Sequence, residues 1–413
     1  MSAGSLWDVA VIGGGAMGAA AADALAARGR RVVLLERQDA PGHGIGSSHG
    51  DGRIVRACYP EPFYVAMAQQ AMAMWRALDD DGTLLAHSGG LDLGEADGTA
   101  LADLRAALDD AGLRYAWLDA EATQRRWPHL RLPDDSAAIH QPDTMVVRAG
   151  AAVARWWSRI ETSPHGAVRR CAAATEITVD ARSVRIRLDD GDEIRASALV
   201  IAAGSWSRAL LAQLGVDLAL RVTREHIAYF PVRDDAPAAA RRIDPSALPT
   251  VIDHHGVVDA RHFYALPQID VPGVKAAWHH DGVVLDGAGA APNGADAACD
   301  PRDAPAFERA RLAPIQRWLR ARWPGLDDTP IEATTCLYTS SIDHHFVIDR
   351  VPGVPRPVAF AAGFSGHGFK FAPLIGALLA ALSLDEAPPA DPTPFALARF
   401  AADAPAVAPR VSA

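Results

Sequence analysis

Lysine is nearly absent from this chain: of 40 basic residues almost all are arginine, and no lysine occurs before Lys275. Acidic residues outnumber basic ones, 50 to 40, and the formal net charge is −10. A nucleic acid or an anionic membrane needs an extended basic surface, so both are excluded as main partners. Cysteine is sparse and scattered, and Cys58, Cys171, Cys299 and Cys336 show no C-x-x-C spacing. That argues against both a zinc knot and a disulfide framework. Long apolar runs are missing too, since the most apolar helical patches, 16–27 and 374–384, fall short of the ~20 residues that span a bilayer. The opening MSAGSLWDVAVIGGG has no basic region before its apolar run, and the closing Val411-Ser412-Ala413 is not a peroxisomal address. No signal peptide is expected, and a cytoplasmic location is.

What remains is an ordinary globular composition: 413 residues, 49% hydrophobic and 22% charged. This length suits about two to three domains of ~150 residues, or one large α/β body with an insertion. Residues 7–12 read as a buried strand, 16–28 as an Ala-rich helix closed by Gly29, and 31–36 as a second strand. This βαβ order predicts a parallel sheet. Helical patterns follow at 64–78, 100–111 and 149–160. Residues 176–195 alternate as strands, with Asp190-Gly191 at a hairpin turn. Residues 199–203 form another apolar strand. From 221 to about 275 the pattern is strand-like again, interrupted by a loop at 234–249. The expected fold class is therefore α/β, with a discontinuous Rossmann-like cofactor domain (1–85, 140–220 and 330–390). An antiparallel-sheet substrate domain (86–139 and 221–329) is inserted in it. Residues 284–303 read as an exposed loop, and 391–413 as a flexible tail.

Three segments carry chemistry. Gly13-x-Gly15-x-x-Gly18, with Met17 inside it, sits between the first strand and helix. Gly13 permits a tight turn, Gly15 lets the backbone approach a pyrophosphate at the helix N-terminus, and Gly18 lets helix and strand pack closely. Glu36, closing the second strand, is placed to accept hydrogen bonds from ribose hydroxyls. On this motif alone FAD and NAD both remain open. The second segment, HGIGSSHGDGRIVR, offers Ser47, Ser48 and His49, then Arg53 and Arg56 as fixed positive charges for a phosphate, a flavin or a substrate carboxylate. The third, Gly363-Phe364-Ser365-Gly366-His367-Gly368-Phe369-Lys370, precedes an apolar helical pattern. Its amides and the positive helix end could face a ring carrying negative charge.

These segments, with Lys275 and the run from Thr334 to Phe371 containing Cys336 and Tyr338, occur in an order that resembles the monomeric sarcosine oxidase and N-methyltryptophan oxidase family. That family lies within the D-amino-acid-oxidase-like flavoproteins. The resemblance covers nearly the whole chain and implies FAD as cofactor, joined by a thioether to Cys336. It further implies Lys370 and Arg56 as the clamp on a substrate carboxylate, and Lys275 over the flavin face as the oxygen-activating residue. His279 matches an active-site histidine and Tyr264 a pocket tyrosine. His49 and Arg53 match residues beside the flavin ring, Arg53 near its central nitrogen. Gly363, Phe364, Gly366, His367 and Gly368 would line its pyrimidine edge.

The chain departs from the sarcosine enzymes around the substrate pocket, at LPQIDVPGV (266–274) and at Gly52, which replaces a hydroxyl residue. His254, His255 and His280 are expected as solvated loop histidines. The function implied is an FAD-dependent oxidase of secondary amino acids, N-methyl or cyclic, such as sarcosine. Its partners would be the amino acid and molecular oxygen, its products an imine and hydrogen peroxide, and its state a monomer. One alternative is an oxidase of a bulkier amine such as N-methyltryptophan, pipecolate or a glycated amino acid. Another is a non-catalytic flavin- or NAD-binding redox partner, in which Lys275 and a carboxylate clamp would have no purpose.

Overall fold

The computed structural model describes residues 6–258, 261–285 and 309–401. Most of the expected 284–303 loop and the chain after 401 lie outside the described residues.

The first sheet has a parallel core in the order Gly166–Arg169, Val32–Leu35, Trp7–Ile12, Glu193–Ile201, Val358–Ala362. Val347–Arg350 joins the last of these antiparallel. Val32–Leu35 and Val358–Ala362 are apolar along their whole length because both faces are covered. Val9, Val11, Leu34 and Val200 point into one core, with the helices Ala16–Ala27, Ala149–Thr162 and Ala372–Ser383. Ala10, Ile12, Leu35 and Ile201, alternate in sequence, point into the other. Glu193–Ile201 serves twice. Its first half pairs antiparallel with Val184–Leu188, and its second half runs between Trp7–Ile12 and Val358–Ala362. The expected Asp190-Gly191 turn is present, with Gly191 at φ +90°.

The second sheet is antiparallel except for one pair. Its order is Val283–Val284, Arg221–Phe230, Val274–Trp278, Arg261–Leu266, Thr250–Val258, Gly90–Glu95, Ser136–Gln141, Ala116–Asp119. Thr250–Val258 and Gly90–Glu95 form the parallel pair. Glu332–Ser340 flanks Arg221–Phe230 from Arg221↔Ser340 to Tyr229↔Glu332. Here the structure departs from the sequence expectation, which put 330–340 in the cofactor domain: nine consecutive ladder partners tie this strand to the second sheet. A small sheet of Gly52–Val55, Met145–Arg148 and Leu85–His87 lies apart from both.

The segment after 390 also differs from expectation. Phe395 is fully buried in the first core, and the Arg399 guanidinium pairs with Asp343 at 2.7 Å. One aromatic anchor and one ion pair order residues that composition alone reads as tail. Among the described residues no helix is long and apolar enough to cross a membrane.

Candidate active site

A cavity of about 730 Å³ runs from the glycine loop after the first strand to the loop before the last helix. At its first end the loop is held by contacts that exclude side chains. Gly13 has φ +103°, and a Cβ there would lie 2.4 Å from the Ala202 carbonyl oxygen. A Cβ on Gly18 would lie 1.9 Å from the Gly13 carbonyl oxygen, so helix and strand could not close. Gly15 differs: the nearest atom to a Cβ would be Ser48 Oγ at 3.0 Å, and its outer side faces the cavity. Trp157 Nε1 donates to the Gly14 carbonyl at 2.9 Å, and Ser48 Oγ accepts from Ala16 N at 3.0 Å. Glu36 Oε2 accepts from Gly14 N at 2.7 Å and Oε1 from Gln38 N at 2.9 Å. Burial pushes the Glu36 carboxyl up, but hydrogen bonds from His43, Gln38 and Gly14 outweigh it and hold it below its ordinary value. These residues fit a dinucleotide: a turn no side chain can enter, a helix N-terminus facing open space, and a carboxylate at the end of the neighbouring strand.

The middle of the cavity joins strands of both sheets. Cys336 lies on Glu332–Ser340 and Lys275 on Val274–Trp278, on opposite sides of Arg221–Phe230. Lys275 is 3% exposed, and its Nζ donates to the Gly52 carbonyl at 2.7 Å. Burial first, then the Arg53 charge, brings its ammonium down to about 7. Arg53 donates to the carbonyls of Gly52 and His49 at 3.0 and 2.6 Å, which folds the 47–53 loop around it. Burial raises the Cys336 thiol, with Arg53 and Lys275 acting in the opposite direction. His279 Nδ1 bonds the Tyr338 hydroxyl at 3.0 Å, while its buried Nε2 meets no protein partner.

At the far end two more cations face the cavity. Arg56 Nη1 pairs with Asp92 at 3.1 Å and also donates to the Cys58 carbonyl, leaving its buried Nη2 without a partner. Asp92 in turn bonds His254 Nε2 at 2.9 Å. Burial acts against both charges, but the pairing outweighs it: Arg56 is held above its ordinary value and Asp92 below. Lys370 is 8% exposed, and its Nζ meets only neutral oxygens, the Tyr59 hydroxyl and the His367 carbonyl at 3.2 Å. Tyr59 continues to His367 Nδ1 at 3.2 Å. Burial first, then Arg56, pulls the Lys370 ammonium well below its ordinary value, with Asp92 acting in the other direction.

Every site residue singled out from the sequence lines this one cavity except Gly18 and His49. Gly18 acts through packing, as its spacing implies. His49 is a correction: its ring is buried off the cavity wall, and the residue contributes its carbonyl to Arg53. Burial and the charges of Arg53 and Lys275 bring that ring down to about 3, so it is uncharged. The expectation that His254, His255 and His280 are solvated loop residues fails: His254 is buried and His255 pairs with Asp253 at 12% side-chain exposure, both on Thr250–Val258, His280 is half-buried, and none of the three lines the cavity. Sequence reasoning named Tyr338 without giving it a role and left out His262, both of which line the cavity, and it left out Asp92 and Tyr59, which support the two cations. Tyr59 stands three residues after Arg56, a proximity that could have signalled it; Asp92 arrives from a distant strand and carries no local sign.

The profile of the family described as FAD dependent oxidoreductase matches residues 8–382. The peroxisomal sarcosine oxidase of Homo sapiens is 31% identical over 401 residues, covering 96% of each chain. An N-methyl-L-tryptophan oxidase of Escherichia coli (strain K12 / DH10B) is 30% identical over 400 residues, covering 95% of this chain and 99% of its own. Among solved structures, NikD, titled an unusual amino acid oxidase essential for nikkomycin biosynthesis, superposes with a TM-score of 0.79. It has 25% identity, over 95% of this chain and 97% of that one. With the glycine cradle, the acidic strand end and these full-length likenesses together, the chain belongs to the FAD-dependent oxidoreductase family.

Proposed function

We propose that the protein is an FAD-dependent oxidase of secondary amino acids, N-methyl or cyclic, such as sarcosine. It would use molecular oxygen and release an imine, which water hydrolyses, together with hydrogen peroxide. The observation that carries this reading is the far end of the cavity. Arg56 Nη2 and Lys370 Nζ are buried there, and Asp92 compensates only Arg56. A buried cation with hydrogen-bonding capacity left over suits a substrate carboxylate. The enzymes named above, sarcosine oxidase and N-methyltryptophan oxidase, give the same substrate class.

FAD, when bound, supplies the two-electron acceptor. The glycine loop and Glu36 would hold its nucleotide end, and Gly363 to Gly368 with Arg53 its ring end. Arg56 and Lys370 would fix the carboxylate, so that the C–N bond is presented in one orientation. Ile227, Ile252 and Leu266 give the cavity apolar wall suited to an N-methyl group or ring carbons. His279 and Tyr338 bond each other and burial keeps both uncharged, so neither competes as a charged partner for the amine. Lys275 would place a proton donor near the site where oxygen is reduced, and Cys336 would carry the thioether to the cofactor. The working unit in this reading is a cytoplasmic monomer.

A panel of N-methyl, cyclic and primary amino acids, assayed for peroxide, tests the reading. Peroxide is expected with secondary amino acids, and a flavin that no member of the panel bleaches would refute it.

A further inference from the structure

The chain contains two lysines among its 40 basic residues, Lys275 and Lys370. Both are buried in the same cavity. Elsewhere this protein uses arginine, including next to Lys370 at Arg56. Arginine cannot give up its proton under any condition the protein survives, whereas lysine can. The surroundings of Lys370 make that difference count. Among the described residues Nζ has no ion-pair partner and bonds only the Tyr59 hydroxyl and the His367 carbonyl. Of the carboxylates facing this corner among the described residues, Asp92 is already shared between Arg56 and His254, and Glu61 acts on the Tyr59 phenol rather than on Nζ. The other titratable groups facing this corner are the Cys58 thiol, the phenol of Tyr59 and the rings of His367 and His279. All of these are buried, and burial keeps each of them uncharged. A buried ammonium beside a guanidinium, without an anion of its own, is costly.

An amino acid arrives with the complementary surplus. At neutral pH it is a zwitterion, and its ammonium must lose a proton before the nitrogen can be oxidised. Resting on the oxidase reading, we propose that Lys370 is uncharged in the free enzyme and is the final acceptor of that proton. The cation that pairs with the bound carboxylate is then made by the substrate itself. One N–H bond of the substrate breaks and one Nζ–H bond forms, and no electrons are exchanged in the step. The site selects for α-amino acids in a way a fixed cation cannot: carboxylate and ammonium are needed together, one to hold the charge and the other to create it. A carboxylate without an amine must draw its proton from solvent.

That last point gives the test. Acetate is titrated into the flavin-loaded wild-type enzyme, binding is followed by the flavin absorbance, and proton uptake is measured with an indicator dye and by calorimetry in two buffers of different ionisation enthalpy. The expected result is uptake of about one proton per acetate bound, in a window below lysine's ordinary pKa of about 10.4 and above that of the free site. Acetate binding without proton uptake anywhere in that window overturns the proposal. Lys370→Met should abolish the uptake while the flavin remains bound, and uptake that persists in it also overturns the proposal. Lys370→Arg should lose 100-fold or more in kcat, and an arginine enzyme with wild-type kcat would refute the role. Peroxide release from secondary amino acids is a separate signal, so this proposal and the oxidase reading fail by different observations.

Discussion

At the nucleotide end of the cavity the deciding atoms belong to the backbone, and at the substrate end they belong to charged side chains from several strands. Gly13 and Gly18 work by what they lack, because carbonyl oxygens occupy the space a Cβ would need. Arg56, Asp92, His254 and Lys370 work by what they carry, in a region where each charge must be compensated or discharged. The first end tolerates no added atom at Gly13 or Gly18, and its Glu36 carboxylate is already held by backbone amides. The second can lose atoms and still fold, provided the charges removed leave none stranded.

The sharpest way to break this comparison is Gly18→Val. Its Cβ would meet the Gly13 carbonyl at 1.9 Å with only backbone to move. A cost of about 3 kcal/mol or more is expected. The protein should be recovered without flavin, read from the ratio of visible to ultraviolet absorbance, whereas Gly44→Ala, where a Cβ would meet nothing within 4 Å, should keep it. A yellow Gly18→Val enzyme would end the backbone argument.

Next in size is Arg56→Met, which leaves Asp92 buried with His254 as its remaining partner. We expect a loss of about 3–5 kcal/mol in stability. A fall of about 10²–10³ in kcat/KM should accompany it. Arg56→Met with Asp92→Leu should recover the melting temperature and none of the activity. That split would separate charge compensation from substrate binding.

Cys336→Ser should change stability by less than about 1 kcal/mol, the substitution being nearly isosteric. Acid-precipitated wild type should stay yellow and the variant should precipitate colourless; a colourless wild type refutes the thioether.

The last effect is gradual and concerns pH. Lys275 is brought down to about 7 in the folded protein and returns to an ordinary lysine on unfolding. Between those values the unfolded chain binds the extra proton, so stability rises with pH from about 7 upward and falls on acidification. Lys275→Met should flatten this part of the melting-temperature profile, and an unchanged slope would show that burial does not discharge Lys275.

Much of the nucleotide end was legible in the sequence because it is local. Strand, glycine turn, helix, strand and Glu36 lie within 7–36, and each spacing expresses one steric requirement. The substrate end was legible only in part. Lys275 and Lys370 stand out by residue type and Arg56 by its place in the loop after Glu36, but Asp92 reaches Arg56 from a strand in another sheet, and His254 comes from the strand paired parallel to it. Such contacts leave no periodicity behind. His49 was misplaced for a different reason: in a loop of small residues neighbouring side chains can take opposite sides, and only the fold chooses between them. The tail expectation failed for 391–401 because composition averages over Phe395 and Arg399, and those two residues dock that segment.

The shortage of lysine also makes the molecule its own reporter. A lysine-specific endoprotease has two places to cut, after Lys275 and after Lys370, and both side chains are buried. In the native protein neither is offered to a protease. Cleavage can begin only when the strand carrying the first, or the loop carrying the second, opens, so digestion rate measures the opening of the cavity itself while the arginine-rich exterior stays silent. The order in which the two cuts appear would reveal which wall yields first, and whether a bound carboxylate holds it shut.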